Sequence, residues 1–273
     1  MIKSLSPLAA VLTTRARRII LTGMVVLLPA ACASSTPAPP PEPLLVSAAS
    51  NLMPAFEKLA AHYKEETGRS VTFNFAASGQ LAHQIEQGAP VDLFVSADVA
   101  TVQDLADKGR VLPDSVQVYA RGSLILWTRA GSGLTLESLE DLLRPEVKRV
   151  AIANPDLAPY GAAARQALQE AGVWEPVQPK LVFGENVRQT LQFAETGDAE
   201  VAIVPLSLGL DSNGQWVKVP EDLHDPVDQS LGIVADSPRQ DEARAFAYYV
   251  TGPEGRAVLR EYGYSVPEEI ASP

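Results

Sequence analysis

The fold is decided by the stretch from Leu44 to Val95, which reads LLVSAASNLMPAFEKLAAHYKEETGRSVTFNFAASGQLAHQIEQGAPVDLFV. Short apolar runs, typical of buried strands, alternate there with longer amphipathic runs, typical of helices. This pattern predicts strands at 44–48, 71–75 and 91–95, with helices over 51–66 and 78–87 between them. Strands that alternate with helices form a parallel sheet with helices on its faces, so the stretch predicts an α/β fold.

The same alternation restarts after Gly122 and continues almost to the end of the chain. It predicts strands at 123–128, 149–153, 180–183, 201–204 and 231–235, and helices at 136–143, 161–171, 187–196, 241–251 and 253–262. We therefore expect two α/β lobes, lobe 1 from residues 44–122 and 231–273 and lobe 2 from residues 123–230. Ligands of such folds bind at the carboxyl ends of strands, which here means between the lobes.

The first 43 residues precede the predicted fold. Three arginines come before an apolar run, Ile19 to Leu28, which is followed by small residues. A basic segment, a short apolar segment and small residues form an export signal, which we assign to residues 1–31. The apolar run is too short to span a bilayer as a mature helix. Residues 32–43 are rich in proline and are expected to form an extended tether.

Cys32, the only cysteine, directly follows Ala30 and Ala31. This arrangement resembles a bacterial lipobox, in which the cysteine carries lipid and becomes the new N-terminus, although Pro29 stands where an aliphatic residue is usual. The alternative is ordinary cleavage after Ala31-Cys32-Ala33, an A-x-A-like site. We expect an exported protein of the periplasm or cell envelope that is anchored in the membrane through Cys32. A disulfide is excluded in either case.

The chain is acidic, with a formal net charge of −11. Residues 1–31 hold four basic residues and no acidic residue, so their removal changes the net charge to −15. Such a surface argues against nucleic acid or anionic lipid as a partner. A site for an anion in this chain must therefore act through local dipoles against the overall field.

Four short stretches lie where a predicted strand gives way to a helix. They are Ala49-Ser50-Asn51-Leu52, Ala77-Ser78-Gly79-Gln80, Ala158-Pro159-Tyr160-Gly161 and Glu185-Asn186-Val187-Arg188. A helix N-terminus carries unpaired N–H groups and the positive end of the helix dipole. One such end is a weak anion site, and four that converge would form a strong one. We assign Arg188 to a surface or hinge salt bridge, so the predicted receptor holds a small oxyanion by neutral donors.

These stretches, together with the segment Gly88 to Asp98 and the tail Gly252 to Gly263, resemble the periplasmic molybdate-binding proteins of ABC importers. The most specific segment is Gly88 to Asp98, which reads GAPVDLFVSAD, and the resemblance covers residues 44–264. It implies the type II periplasmic-binding-protein fold, in which a hinge joins two lobes and the oxyanion is buried between them. It also implies a monomer without a cofactor, which delivers molybdate or tungstate to a membrane permease and its ATPase.

The resemblance assigns the ligand to serine hydroxyls and backbone amides. The residues that it implicates are Ser50, Asn51, Ser78, Tyr160 and Val187. Some members place a ligand tyrosine after the Ile-Val of a late strand, where this chain has Pro205, which offers neither a hydroxyl nor an N–H group. The phenol of Tyr160 is the candidate for the missing donor.

Several alternatives stay open at this point. Ser50 and Ser78 could each be a plain helix N-cap, the commonest role of a serine before a helix. Sulfate needs the same donors as molybdate and differs in size. A receptor for an organic solute would need aromatic and charged groups in the cleft. An exported serine hydrolase would need an activated serine, and the sequence contains no G-x-S-x-G motif. No metal site is expected, since the three histidines share no metal-ligand spacing.

Overall fold

The computed structural model describes residues 42–270, with side chains described to residue 268. The predicted export signal, Cys32 and the tether as far as residue 41 lie outside the described residues. Within residues 42–270, every helix is too short or too polar to cross a membrane.

Ten strands and ten helices alternate along this part of the chain. The strands are β1 (Leu44–Ala49), β2 (Val71–Ala76), β3 (Leu93–Ser96), β4 (Gln117–Gly122), β5 (Leu124–Arg129), β6 (Val150–Ala153), β7 (Leu181–Gly184), β8 (Val201–Pro205), β9 (Gly214–Lys218) and β10 (Val227–Ile233). The helices are α1 (Met53–Thr67), α2 (Ser78–Glu86), α3 (Ala100–Asp107), α4 (Pro159–Glu170), α5 (Trp174–Val177), α6 (Val187–Thr196), α7 (Leu206–Leu210), α8 (Gln240–Thr251), α9 (Pro253–Glu261) and α10 (Pro267–Ile270). The predicted α/β fold class is confirmed.

The first sheet has the strand order β2-β1-β3-β10-β4. Strand β1 is parallel to both β2 and β3, whereas β10 is antiparallel to β3 and β4. Ala49 pairs with Ala76 at the carboxyl ends of β1 and β2. Because parallel strands end at the same edge of a sheet, the segments that follow β1 and β2, which contain Ser50 and Ser78, begin side by side.

The second sheet repeats this arrangement in the order β7-β6-β8-β5-β9. Strand β6 is parallel to β7 and β8, and β5 is antiparallel to β8 and β9. Ala153 and Gly184 pair at the carboxyl ends of β6 and β7, which brings the starts of α4 and α6 together. The chain passes from the first sheet to the second after β4 and returns between β9 and β10.

Several elements differ from the sequence prediction. The strand predicted at 231–235 begins already at Val227. The prediction misses this start because the buried polar residues Gln229 and Ser230 do not fit an apolar pattern. The helix predicted at 136–143 is a short 3-10 turn, Leu139–Leu143. The sequence pattern does not predict helices α3, α5, α7 and α10 or strands β4 and β9.

Aromatic packing fixes α1 on the first sheet. The ring of Phe56 meets the rings of Phe73, Tyr119 and Phe246 edge-on, with centroids 6.0 to 6.5 Å apart. Such edge-to-face pairs add about 0.5–1.5 kcal/mol each beyond their burial. The start of α1, and with it the turn that contains Ser50, is therefore held in place from behind.

A buried ion pair closes the opposite edge of the same sheet. Asp92 accepts hydrogen bonds from the Leu45 N–H at 2.7 Å and the Ser237 hydroxyl at 2.7 Å, and pairs with the Arg239 guanidinium at 2.8 Å. Arg239 also donates to the carbonyl of Pro43, directly before β1. We name these contacts the Asp92 clamp. Asp92 thus has a structural role, and so does Asp98, which accepts hydrogen bonds from both the N–H and the hydroxyl of Thr101 at the start of α3.

Candidate anion-binding site

The first donor segment is the 3-10 turn Ser50–Leu52, which joins β1 to α1 and is buried throughout. The side-chain nitrogen of Asn51 donates to Gln229 Oε1 at 2.9 Å and to the Tyr264 hydroxyl at 2.8 Å. Both amide hydrogens of Asn51 are therefore used within the protein. Asn51 is left with its backbone N–H as a donor for a ligand.

The second donor segment shows that Ser78 is not the N-cap of α2, the alternative role considered for it. The capping position of α2 is Ala77, in an extended conformation, and Ser78 is already the first helical residue. The Ser78 hydroxyl instead accepts a hydrogen bond from the Ala97 N–H at 3.0 Å. Since a hydroxyl that accepts one bond still has its own hydrogen, Ser78 can donate to an anion. Ser50 also caps no helix through its side chain, since the 3-10 turn begins at Ser50 and its cap is Ala49.

The third donor segment opens α4 with Pro159, so Tyr160 carries the first N–H of that helix. The Tyr160 phenol is buried against Gly122 and lies 3.5 Å from Gln229 Nε2. Burial raises the pKa of Tyr160 well above its usual value, and the neighbouring phenols of Tyr264 and Tyr119 raise it further, against a smaller opposing effect of the Gln229 hydrogen bond. The phenol therefore stays neutral and keeps its hydrogen at physiological pH.

The fourth donor segment begins with Asn186, the N-cap of α6. Its side-chain oxygen accepts the N–H groups of Arg188 at 3.0 Å and Gln189 at 3.1 Å. The N–H of Val187, in the first turn, has no acceptor within the helix. Helix α6 also contacts the Ser50–Leu52 turn, so the fourth donor segment belongs to a helix that packs beside the first. The expected salt bridge of Arg188 is not formed within residues 42–268.

One buried side chain, Gln229 of β10, connects three of the donor segments. Its Oε1 accepts from Asn51, and its Nε2 lies 3.4 Å from the Ala97 carbonyl and 3.5 Å from the Tyr160 hydroxyl. Ala97 in turn donates its N–H to Ser78. Asn51, Ser78 and Tyr160 therefore belong to one hydrogen-bonded network, which brings together residues that are distant in the sequence.

The two sheets are bridged across the cleft by further hydrogen bonds. The Gly79 N–H of α2 donates to the Leu157 carbonyl at 2.9 Å, directly before α4. The Ser207 hydroxyl of α7 donates to the Asn51 carbonyl at 2.9 Å and accepts from the Tyr264 hydroxyl at 3.0 Å. Burial raises the pKa of Tyr264, so this phenol is also neutral. These hydrogen bonds hold the two sides of the cleft together, so the structure shows the closed form.

The donors of the site carry no charge. The candidate donors are the hydroxyls of Ser50 and Ser78 and the backbone N–H groups of Asn51, Tyr160 and Val187, with the Tyr160 phenol as a further candidate. Pro205 lies at the end of β8 as the cap of α7 and donates nothing, as its residue type requires. Within the described residues, no group of histidine, cysteine and acidic side chains could hold a metal ion. Such a donor set suits an anion that has no proton to give.

Sequence reasoning missed four residues that shape this site, namely Gly122, Ser207, Gln229 and Tyr264. A glycine in a strand signals the close approach of another group, but this sign requires the strand β4, which the sequence pattern does not predict. Gln229 and Ser230 lie before the strand predicted at 231–235, so their burial also has no sign in the sequence pattern. Ser207 and Tyr264 carry no local signal.

The fold and the site define a two-domain α/β binding protein that encloses a small solute between its sheets. The sequence model of the family described as bacterial extracellular solute-binding protein matches residues 44–265, and the chain belongs to this family.

Curated relatives and a solved structure support the same assignment. The chain is 36% identical over 223 residues to the molybdate-binding protein ModA of Rhodobacter capsulatus. This alignment covers 81% of this chain and 87% of the relative. It is 30% identical over 225 residues to a putative ABC transporter substrate-binding lipoprotein, YvgL, of Bacillus subtilis, covering 81% and 86%. The periplasmic molybdate-binding protein of Azotobacter vinelandii superimposes with a TM-score of 0.77 at 29% identity and covers 82% of this chain and 99% of that one.

Proposed function

We propose that this protein captures molybdate, and tungstate with it, outside the cytoplasm and delivers the anion to an ABC importer. The observation that carries this proposal is the set of buried, uncharged donors that four segments bring to one cleft. Molybdate and tungstate are fully deprotonated near neutral pH, so each of their oxygens only accepts hydrogen bonds. The names of the relatives from Rhodobacter capsulatus and Azotobacter vinelandii support molybdate as the ligand.

The donors compensate for part of the hydration that a dianion loses in the cleft. A hydrogen bond to a charged group contributes about 1.5–3 kcal/mol, and the five candidate donors become six if the Tyr160 phenol takes part. The hydroxyls of Ser50 and Ser78 come from the first sheet's side of the cleft, as does the Asn51 N–H. The N–H groups of Tyr160 and Val187 come from the other side. Each side alone offers only part of the donor set, so binding favours the closed form.

We place the lobe boundaries with the two sheets. Lobe 1 then contains residues 44–122 and the chain from β10 onward, and lobe 2 lies between them. A boundary at residue 230 would cut β10, which pairs with β3 and β4 along its length, so we move it to before Val227. The protein acts as a monomeric receptor without a cofactor and catalyses no reaction. Its expected partners are a membrane permease and its ATPase.

The first prediction is tight one-to-one binding of molybdate and tungstate by the purified protein. Isothermal titration calorimetry measures the affinity, with sulfate and phosphate titrated under the same conditions. We expect both of these anions to bind at least a hundredfold more weakly than molybdate, since one is smaller and the other retains a proton at neutral pH that needs an acceptor. Sulfate that binds as tightly as molybdate would assign the protein to the alternative class of sulfate receptors.

The second prediction concerns Cys32, through which we propose a lipid anchor. The name of the Bacillus subtilis relative, a lipoprotein, supports this proposal. In a bacterial host, the wild type should fractionate with the membrane and Cys32→Ser should be released in soluble form. Mass spectrometry of the mature N-terminus distinguishes a lipidated cysteine from cleavage after Ala33. A lipid-free wild type would support plain signal cleavage.

A further inference from the structure

Gln229 is a buried polar residue of strand β10, which also contains Asp228 and Ser230. It is 0% exposed, and a buried amide costs free energy unless its polar atoms are satisfied. Its Nε2 donates to the Val227 carbonyl at 3.0 Å, and its second hydrogen is shared between the Ala97 carbonyl and the Tyr160 hydroxyl at 3.4 and 3.5 Å. An apolar side chain of the same length would fill this space without such requirements, so the amide points to a role beyond packing.

The backbone of β10 directs this side chain toward the cleft. The register of β10 against β4 shifts between Gln229 and Ser230. Irregularities of this kind re-aim side chains and are frequent next to functional sites. Gln229 thereby reaches Asn51 on one side and Tyr160 on the other, although these residues lie 178 and 69 positions away in the chain.

We propose that Gln229 is the positioning residue of the anion site, an inference that rests on the proposed function. Its Oε1 holds the Asn51 amide and with it the Ser50–Leu52 turn. Its Nε2 faces the lone pairs of the Tyr160 phenol, so the phenol hydrogen is directed away from Gln229 and is free for an anion. Its contact with Ala97 supports the loop that binds the Ser78 hydroxyl. Gln229 itself does not touch the ligand.

A double-mutant cycle tests this role, because a merely structural residue would leave the effect of Tyr160→Phe unchanged. Molybdate affinities are measured by calorimetry for the wild type, Gln229→Met, Tyr160→Phe and the double variant. We expect each single change to weaken binding roughly ten- to hundredfold. In the Gln229→Met background, Tyr160→Phe should cost less than about threefold. Losses that simply multiply would overturn the proposal.

Two further variants keep the test decisive. Gln229→Glu retains the acceptor for Asn51 but removes both donors and adds a charge, so at pH 8 it should bind molybdate more weakly than Gln229→Met. If Gln229→Met does not fold, Gln229→Glu replaces it as the test of the positioning role. Wild-type affinity for molybdate in Gln229→Glu would overturn the proposal. Gln103→Met, on the exposed face of α3, is the matched control and should bind as the wild type does.

The outcomes separate this inference from the function on which it rests. If the wild type does not bind molybdate, the proposed function fails and the positioning role fails with it. If the wild type binds and Gln229→Met binds equally well, only the positioning role is lost. Thermal melts without ligand show how much each variant changes the stability of the empty protein.

Discussion

Gly122→Ala is expected to weaken molybdate binding by at least about a hundredfold. A Cβ atom at this position would lie 1.7 Å from the Tyr160 hydroxyl oxygen and 2.9 Å from the ring carbon that carries it. Neither atom can yield by a simple rotamer change, because the phenol is fully buried between the two sheets. The backbone of Gly122 is extended, so alanine is excluded by space and not by conformation. The phenol must move, and the closed cleft must open with it.

Calorimetry and solution X-ray scattering measure the two parts of this effect. With molybdate, the wild type should show a smaller radius of gyration than Gly122→Ala. The double variant Gly122→Ala/Tyr160→Ala restores the space and keeps the backbone N–H of residue 160, so it should bind more tightly than Gly122→Ala alone. Wild-type affinity in Gly122→Ala would show that the phenol does not need this position.

Asp92→Ala is expected to lower the free energy of unfolding by about 3–5 kcal/mol. The change removes the acceptor of the Leu45 N–H and the Ser237 hydroxyl and leaves the Arg239 guanidinium without its buried partner. Breaking one side of a buried pair costs far more than the pair itself contributes, because the remaining groups stay desolvated.

Urea unfolding followed by circular dichroism measures this loss. The control is Asp104→Ala, which removes an exposed partner of Lys108 and should change the free energy of unfolding by less than about 1 kcal/mol. Asp92→Ala should retain its affinity for molybdate under conditions where it is folded. Equal losses in the two variants would contradict the structural role assigned to the Asp92 clamp.

Much of the fold could be predicted because its elements are locally patterned. Helix α6 lies at residues 187–196 as predicted, since an apolar stripe follows a capping asparagine and a glycine ends it. The start of β10 could not be placed in the same way. Gln229 and Ser230 are buried because they bond to residues far away in the chain, and hydrophobic periodicity contains no record of such partners.

The same limit applies to the candidate site. The positions of Ser50, Ser78, Tyr160 and Val187 at helix starts follow from local sequence. The Ser78 hydroxyl accepts a hydrogen bond from the Ala97 N–H and caps no helix, because α2 begins at Ser78 itself. Sequence patterns locate helix ends only within a few residues and therefore cannot predict this arrangement. Asn51 also contacts Ser207, 156 positions away in the chain, and Tyr264, 213 positions away. These contacts form only when the two sheets are assembled.

The Asp92 clamp also determines where a mechanical load would enter the protein. A pull on the segment before Pro43 acts first on Arg239 and then on the hydrogen-bonded ladder between β1 and its two neighbours. Ser50 lies at the far end of β1, about 20 Å from Leu44 for a six-residue strand. A force applied before Pro43 would therefore load the hydrogen bonds of β1 to β2 and β3 before it loads the turn that contains Ser50.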